Sequence, residues 1–463
     1  MSTTLNIQVG QEFLVTIKRL GINGEGVGYY KRQVVFVPGA LPQEEVVVKV
    51  TKVFPKHCEA EIIRFKKRSP HRVKVECSVN HRCGGCQLQH LSYVSQLVEK
   101  KELVAQALLR YSGLDLETIE IRDCIGMEDP KHYRNKSQFQ LGVNANGDVL
   151  AGLYNTDTHQ LIDIMRCGVQ HEAINKVTRV VKEILQELAV PIYDEKKNSG
   201  IVRTIVTRVS FATGEVQVTL VTSTNKLPKK AMILAEIAKK LPEVVSVFQN
   251  INANKTSLIF GEQTVLLSGK ETIIEKLGEM QFALSARTFF QLNPVQTVKL
   301  YDEVKKAAEL TGHEKVVDAY CGAGTIGLWL AGEAAEVRGM DVIPEAIQDA
   351  RQNAKMNHCK NTRYEVGKAE VLLPQWSKKG WRADIVVVDP PRSGLDKNLL
   401  DTLLKERPKR VIYVSCNPST LAKDLNVLRK KYSVDYIQPI DLFPMTGNVE
   451  CVVLMSRKAS AKA

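Results

Sequence analysis

The sequence lacks any apolar run of the roughly 18 residues that a membrane span needs, which excludes a transmembrane helix. Its first residues, Met1 to Gln8, hold neither a basic nor an apolar stretch, so no signal peptide is expected. Cysteine is scarce, ten in 463 residues, too few for a disulfide scaffold. With no secretory signal the expected compartment is the reducing cytoplasm. Cysteine spacing there points to metal binding or catalysis. No repeat recurs at a solenoid period. Hydrophobic residues are 44% and charged residues 25%, which excludes wholesale disorder, collagen and coiled coil. At about 150 residues per domain, the length allows two to four domains, enough to bury a real core.

Acidic residues are the minority. Asp plus Glu is 51 against 64 Lys plus Arg, a net charge of +13. Such a balance points to a polyanionic partner, nucleic acid or an anionic surface. Residues 1–74 hold thirteen basic and six acidic residues, so they supply +7 of the +13.

Residues 1–66 read as all-β. Short Val/Ile-rich runs at 13–17, 34–37, 46–50 and 59–63 are separated by Gly- and Pro-rich turns, 21–28 among them. That pattern predicts a small closed barrel. The basic stretch at 64–70 reads as a linker. Residues 91–114 show helical periodicity, with Gly113 as a stop. Residues 125–285 mix strands at 137–143 and 216–222 with a helix at 172–188. From about 290 the pattern turns regular. Asn293 is a helix N-cap with Pro294 at the first helical position. Strand-like runs follow at 315–319, 337–340, 385–388, 411–414 and 452–455, with helical stretches between most of them. The alternation predicts a parallel, doubly wound α/β sheet. Residues 458–463 are expected to fray.

Gly322, Gly324 and Gly327 match G-x-G-x-x-G on a strand–loop–helix. The pattern permits a tight turn and close approach of a ligand to a helix start. Asp341 follows Gly322 by nineteen residues at the next strand end, where a carboxylate accepts ribose hydroxyls. This spacing suits NAD and S-adenosylmethionine alike. Asp389 ends another strand before Pro390-Pro391, and Cys416 ends a third. Ligands of open α/β sheets bind at those carboxyl ends. Cys416 is therefore a candidate nucleophile. Cys58, Cys124 and Cys359 read as filler, and Cys321 as packed inside the glycine turn. Cys77, Cys83 and Cys86 follow C-x5-C-x2-C, with Cys167 further on. Four thiolates suit zinc or an iron–sulfur cluster, and the spacing leaves the metal open. His81 and His90 read as ordinary polar residues.

Asp-Pro-Pro-Arg-Ser-Gly at 389–394, Ser-Cys-Asn-Pro at 415–418, Phe290-Gln291-Leu292-Asn293 and Val449-Glu450-Cys451 together resemble the RNA uridine-5-methyltransferases. The N-terminal barrel resembles a TRAM domain, an RNA-binding module. The resemblance covers nearly the whole chain and is nearest to bacterial enzymes acting on 23S ribosomal RNA. It implies S-adenosylmethionine as methyl donor, held by Gln291, Tyr320, Asp341 and Asp389. It implies Cys416 as nucleophile and Glu450 as general base. It also implies a [4Fe–4S] cluster on Cys77, Cys83, Cys86 and Cys167, with zinc as the lesser alternative. The family usually carries histidine where this chain has Asn448, so no proton relay is expected there. No membrane and no protein partner are implied, and a monomer is expected.

The expected architecture is thus a barrel at 1–66, a central α+β domain with the cysteine cluster at 67–289, and a Rossmann-like methyltransferase domain at 290–463. The helix at 91–114 is a candidate to pack on the last of these. Expected RNA contacts are Lys31, Arg32, the basic residues of 64–68, Arg134 and Lys136, with Tyr133 and Phe139 stacking on splayed bases. The rival readings are a transfer-RNA enzyme, an RNA-binding iron–sulfur protein with a degenerate cofactor fold, an NAD-dependent oxidoreductase, and an amino-group methyltransferase.

Overall fold

The structure, a computed structural model, describes residues 7–155, 158–256 and 258–459, so the end expected to fray lies outside them from residue 460. Strands β1 (Glu12–Leu20), β2 (Gly26–Tyr30), β3 (Gln33–Val37), β4 (Glu45–Val53) and β5 (His57–Lys67) close into a barrel in the order β1-β2-β3-β5-β4. Period-two alternation sets its inside: Phe13, Val15 and Ile17 of β1 and Val46, Val48 and Val50 of β4 are buried. β2 occupies part of the segment expected as a glycine turn. A Cβ at Gly28 would lie 2.4 Å from Val15 Cγ2 and 2.8 Å from the Thr16 carbonyl oxygen. Only glycine lets β2 lie so close to β1, beside the register shift at Ile17/Arg19. β5 runs through Lys67, so most of the expected linker is strand, with Arg64, Lys66 and Lys67 exposed on it.

The helix α1 (Tyr93–Tyr111) and the short β6 (Glu120–Ile121) come next. The central sheet comprises β7 (Lys136–Val143), β8 (Val149–Tyr154), β9 (Leu161–Asp163), β10 (Val202–Val209), β11 (Val216–Thr222), β12 (Val244–Ile251) and β13 (Gln263–Gly269), in the order β13-β12-β11-β10-β7-β8-β9. Helices α2 (Glu172–Glu187) and α3 (Lys230–Lys240) cover one face. On α2, Ile174, Val177, Val181, Ile184 and Leu185 recur at helical steps and are fully buried. The hairpin of β14 (Ile273–Leu277) and β15 (Met280–Leu284) packs into the core of the C-terminal unit.

The C-terminal unit alternates α4 (Pro294–Ala308), β16 (Lys315–Ala319), α5 (Thr325–Ala331), β17 (Glu336–Asp341), α6 (Pro344–Met356), β18 (Thr362–Val366), α7 (Ala369–Lys378), β19 (Ile385–Val388), α8 (Lys397–Glu406), β20 (Arg410–Ser415), α9 (Pro418–Leu428), β21 (Tyr432–Ile440) and β22 (Glu450–Arg457). The sheet order is β18-β17-β16-β19-β20-β22-β21-β6, with the topological switch between β16 and β19. Asn293 caps α4 by accepting from Gln296 N–H, with Pro294 in the first turn. β22 departs from the expected parallel sheet. It runs antiparallel to both β20 and β21. Only residues 441–449 join it to β21, too few for the crossover of a dozen or more residues that parallel pairing requires.

Two pieces reach this unit from far upstream. β6 pairs with β21, Glu120 opposite Tyr436 and Ile121 opposite Ile437. α1 packs on α9, its Val104, Ala107 and Leu108 entering the core that also holds Leu421, Leu425 and Leu428. On the same helix Lys100 is fully buried and donates to Asp441 Oδ1 at 2.5 Å and to the Phe443 carbonyl at 3.0 Å. No helix among the described residues is long and apolar enough to cross a membrane.

Removing one partner of a dry ion pair strands the other charge. Lys100→Met is therefore expected to lower the unfolding free energy by about 3–5 kcal/mol, read by urea denaturation. A change of less than about 1 kcal/mol would show that water reaches the pair.

Candidate active site

The glycine loop joins β16 to α5. Gly322 and Gly324 have φ of +53° and +79°, in the left-handed region that glycine tolerates. Space beside Gly322 is open, whereas a Cβ at Gly324 would meet Tyr364 Oη at 2.9 Å. Gly327 lies on the helix against Asp318, where a Cβ would come within 3.0 Å of Oδ2. The three glycines thus divide the work: open approach, tight turn, close helix–strand packing. Asp341 at the end of β17 braces the loop. Its Oδ2 accepts from Gly322 N–H at 3.1 Å and its Oδ1 from Ile343 N–H at 2.9 Å. Asp318, which nothing in the sequence singled out, is fully buried and accepts from Gly327 N–H at 2.7 Å. Burial pushes its carboxyl up to about 7.

One strand over, Asp389 ends β19 half-buried, and burial pushes it up to about 7. Cys416 follows β20 directly. Ser415 is paired with Cys451, so Cys416 falls level with Glu450, the first residue of β22. Glu450 is buried, and desolvation, then Asp389, push it up to about 8. Burial first, then Glu450 and Asp389, push the Cys416 thiol up to about 11. Arg392 opposes both shifts, and Lys100 opposes that of Glu450. A thiol and two carboxylates therefore share one poorly solvated edge of the sheet, with the exposed Arg392 guanidinium beside them. Such a set can add a thiolate to an electrophile and take up a proton near neutral pH.

The 441–449 segment that delivers Glu450 is held from every part of the molecule. Lys100 and Gln96 of α1 bind Asp441 and the Met445 N–H. Asn293 donates to the Leu442 carbonyl at 3.0 Å. Leu88 N–H donates to the Met445 carbonyl. From the barrel, the turn at 23–24 comes so close that a Cβ on Gly447 would lie 3.0 Å from Gly24 N. A cleft of about 1440 Å³ opens between barrel, α1 and sheet edge, with Phe36 and His57 on one wall and Arg392, Cys416 and Asn448 on the other.

Other expected residues fall in different places. Gln291 is half-buried and its carbonyl accepts from Asn135 Nδ2, while Tyr320 sits half-buried with a φ of +65° beside the glycine turn. Tyr133 and Phe139, expected to stack on bases, are buried. Tyr133 Oη donates to the Pro444 carbonyl at 3.0 Å, and Phe139 lies in the core under α2. Alternation turns Phe139 inward on β7, and Tyr133, before the strand, is drawn in by its bond to the 441–449 segment, facings that local sequence does not announce. Lys136 is half-buried with its ammonium over Phe260, and desolvation, then Arg208, lower it to about 7. Lys31 and Arg32 are exposed at the β2–β3 turn as expected. Cys77, Cys83, Cys86 and Cys167 are half-buried; Cys83, Cys86 and Cys167 stand within electrostatic reach of one another and of Arg134, and Cys77 within reach of Cys83. Among the described residues, no group of three or more His, Cys, Asp or Glu side chains converges to hold a metal ion.

The switch-point glycine loop, the ribose-type carboxylate and the strand-end thiol define an enzyme that works on a ligand bound beside a nucleoside cofactor, joined to a small basic barrel. Comparison with known proteins narrows this class. Residues 92–458 match the tRNA (Uracil-5-)-methyltransferase family and residues 7–63 the TRAM domain. An uncharacterized RNA methyltransferase of Bacillus cereus is 60% identical over 452 residues, 98% of each chain. One of Halalkalibacterium halodurans is 57% identical over 455 residues, again 98% of each chain. The tRNA (uracil-54, C5)-methyltransferase of Pyrococcus abyssi, solved with S-adenosyl-L-homocysteine, shares 29% identity at a TM-score of 0.75, covering 96% of this chain and all of that one. The chain belongs to the RNA uracil-5-methyltransferase family and carries an N-terminal TRAM domain, as the strand-end motifs suggested.

A carboxyl whose pKa is raised by folding stabilises the fold below its unfolded value and loses that contribution as pH rises through the folded one. For Glu450 the window runs from about 4.3 unfolded to about 8 folded. Glu450→Gln is therefore expected to raise the melting temperature at pH 9 and to change it little at pH 4. Equal shifts at both values would show that Glu450 is not desolvated.

Proposed function

We propose that the protein methylates carbon 5 of uridine in RNA, with 23S ribosomal RNA as substrate, as a monomer in the cytoplasm. The observation that carries this reading is the β20–β22 register, Ser415 opposite Cys451, which sets Cys416 level with Glu450 at the sheet edge, with Cys416 lining the cleft beside the barrel. Carbon 5 of uracil is a poor nucleophile. Addition of the Cys416 thiolate to carbon 6 forms an S–C6 bond and moves the C5=C6 pair into an enolate. S-adenosylmethionine supplies a sulfonium-activated methyl group. Glu450 then takes the proton from carbon 5, the C5=C6 bond reforms, and the thiolate leaves. A carboxylate tuned toward neutrality suits that removal. Arg392 favours the thiolate against the two nearby carboxylates.

Gln291, Tyr320, Asp341 and Asp389 would hold the methyl donor. Each Asp341 oxygen accepts one loop N–H and keeps a lone pair for a ribose hydroxyl. The target uridine must leave its stack to reach the strand ends. Exposed Lys31, Arg32, Arg64 and Arg68 on the barrel side suit phosphate contacts that position RNA without reading its sequence.

The donor chemistry of the cysteine quartet suits a soft metal or cluster. Cys77, Cys83, Cys86 and Cys167 would hold [4Fe–4S] in preference to zinc, tying 77–86 to the segment before α2. Anaerobically purified protein is then expected to carry iron and acid-labile sulfide in equal amounts, both lost in Cys167→Ser. Zinc without sulfide would replace the cluster by a zinc site.

Transfer RNA is the second reading, favoured by the substrate named for the Pyrococcus abyssi relative. The test is trapping with 5-fluorouridine-bearing fragments of ribosomal RNA and of transfer RNA, with S-adenosylmethionine present. Fluorine cannot leave as a proton does, so a methylated adduct on Cys416 is expected with the ribosomal fragment. An adduct with transfer RNA alone would reassign the substrate. Methylation of ordinary RNA without any adduct would sink the thiol mechanism.

A further inference from the structure

Arg392 is a cation that opposes the shifts of both Cys416 and Glu450, and Lys100, which opposes that of Glu450, is itself paired to Asp441. Its backbone is pinned beside the thiol. The Arg392 carbonyl accepts from Asn417 Nδ2 at 3.0 Å and from Thr420 Oγ1 at 3.2 Å, both at the start of α9. Its side chain is exposed and long. An unrestrained guanidinium there would spend its time in water, where its field on the thiol is screened. Among the described residues its side chain has one hydrogen bond to restrain it: Nη2 donates to Asn448 Oδ1 at 2.6 Å. Asn448 precedes Glu450 by two residues, on the segment gripped by α1, Leu88, Tyr133 and Asn293. Arg392, Asn448 and Cys416 line the same cleft wall.

We propose that Asn448 is a positioning residue, whose amide oxygen holds the Arg392 guanidinium over the Cys416 thiol and the Glu450 carboxylate. The residue type follows from charge. A carboxylate at 448 would also accept from Arg392 but would cancel the charge that the thiol needs. A lysine or arginine would repel it. A neutral amide accepts the hydrogen bond and leaves the positive charge intact. The titratable and charged groups that act on the thiol are then Asp389 after β19, Glu450 from β22, Tyr413 of β20 and Arg392 from the turn after β19, with Lys100 of α1 acting on Glu450. Two anions oppose the thiolate and one held cation supports it, so loss of that hold is felt directly.

The inference rests on Cys416 being the nucleophile, but its test reads the thiol without RNA. Full-length protein is alkylated with iodoacetamide across a pH series, and the Cys416 peptide is followed by mass spectrometry. Binding of S-adenosylhomocysteine, by calorimetry, checks that each variant is folded. Asn448→Leu is expected to move the alkylation midpoint up by about one pH unit, a roughly tenfold loss of reactivity near neutral pH. Asn448→Asp is expected to move it further. Asn448→His is expected to restore the midpoint, because imidazole is neutral in the alkaline range where the thiol titrates and can accept from Arg392. In an Arg392→Met background, Asn448→Leu is expected to add nothing. An unmoved midpoint in Leu and Asp variants overturns the proposal, as does a full further shift on top of Arg392→Met. Full methylation of RNA by Cys416→Ser would instead overturn the nucleophile assignment and leave the alkylation result standing.

Discussion

The reversal of β22 is the constraint on which the site depends. In a doubly wound sheet every parallel strand ends at the carboxyl edge and begins at the opposite one. Strand beginnings are therefore far from the ligand crevice. With only 441–449 between them, β21 and β22 must form a hairpin, and β22 runs backwards. Its first residue, Glu450, thus arrives where β20 ends and Cys416 begins. A parallel β22 of the same eight residues would place Glu450 roughly 25 Å away, at about 3.3 Å per residue.

Around that meeting point the protein accepts unfavourable electrostatics. Asp318, Asp389 and Glu450 are all pushed up toward neutrality by burial, and the Cys416 thiol is pushed up as well. The carboxyl shifts represent stability given up at working pH. The compensation lies in the surroundings. Apolar packing above and below the sheet is continuous, from Val317 and Val388 to Val453 on one face and from Val316 and Val387 to Val452 on the other. The 441–449 segment meanwhile has hydrogen-bond partners on α1, on the segment before α1, at Tyr133 and at Asn293. Groups that carry the chemistry are strained electrostatically, and groups that carry no chemistry hold them in register.

Much of this was legible because local rules suffice for it. The strands at 216–222, 315–319 and 385–388 coincide with apolar runs bounded by turn residues. The three glycines of the loop and the Asn293 cap declare themselves by spacing alone. Cys416 and Asp389 stand out because strand ends are readable. Features that depend on distant partners were not legible. β2 looked like a turn because its glycines serve close packing against Val15 and Thr16. β21 carries Asp435 and Pro439 in its run, which hides it as a strand. Tyr133 and Phe139 looked available to RNA because sequence does not say which way a ring faces. The Lys100–Asp441 pair joins residues 341 positions apart and leaves no local trace.

The same long-range pairing sets the order in which the chain becomes a protein. The barrel's strand contacts all lie between Glu12 and Lys67, so it can close soon after it leaves the ribosome. α1 and β6 are made next, yet α9, β21 and Asp441 come more than 290 residues after them. At about 5–20 residues per second, the 341 positions separating Lys100 from Asp441 take roughly 20 to 70 seconds to synthesise. During that interval the apolar stripe of α1 and a lysine destined for a dry ion pair have no native partner. The central sheet, meanwhile, can assemble from residues 136–269. The catalytic sheet is thus the last part to be completed, and the earliest of its pieces must be kept from other partners while it waits.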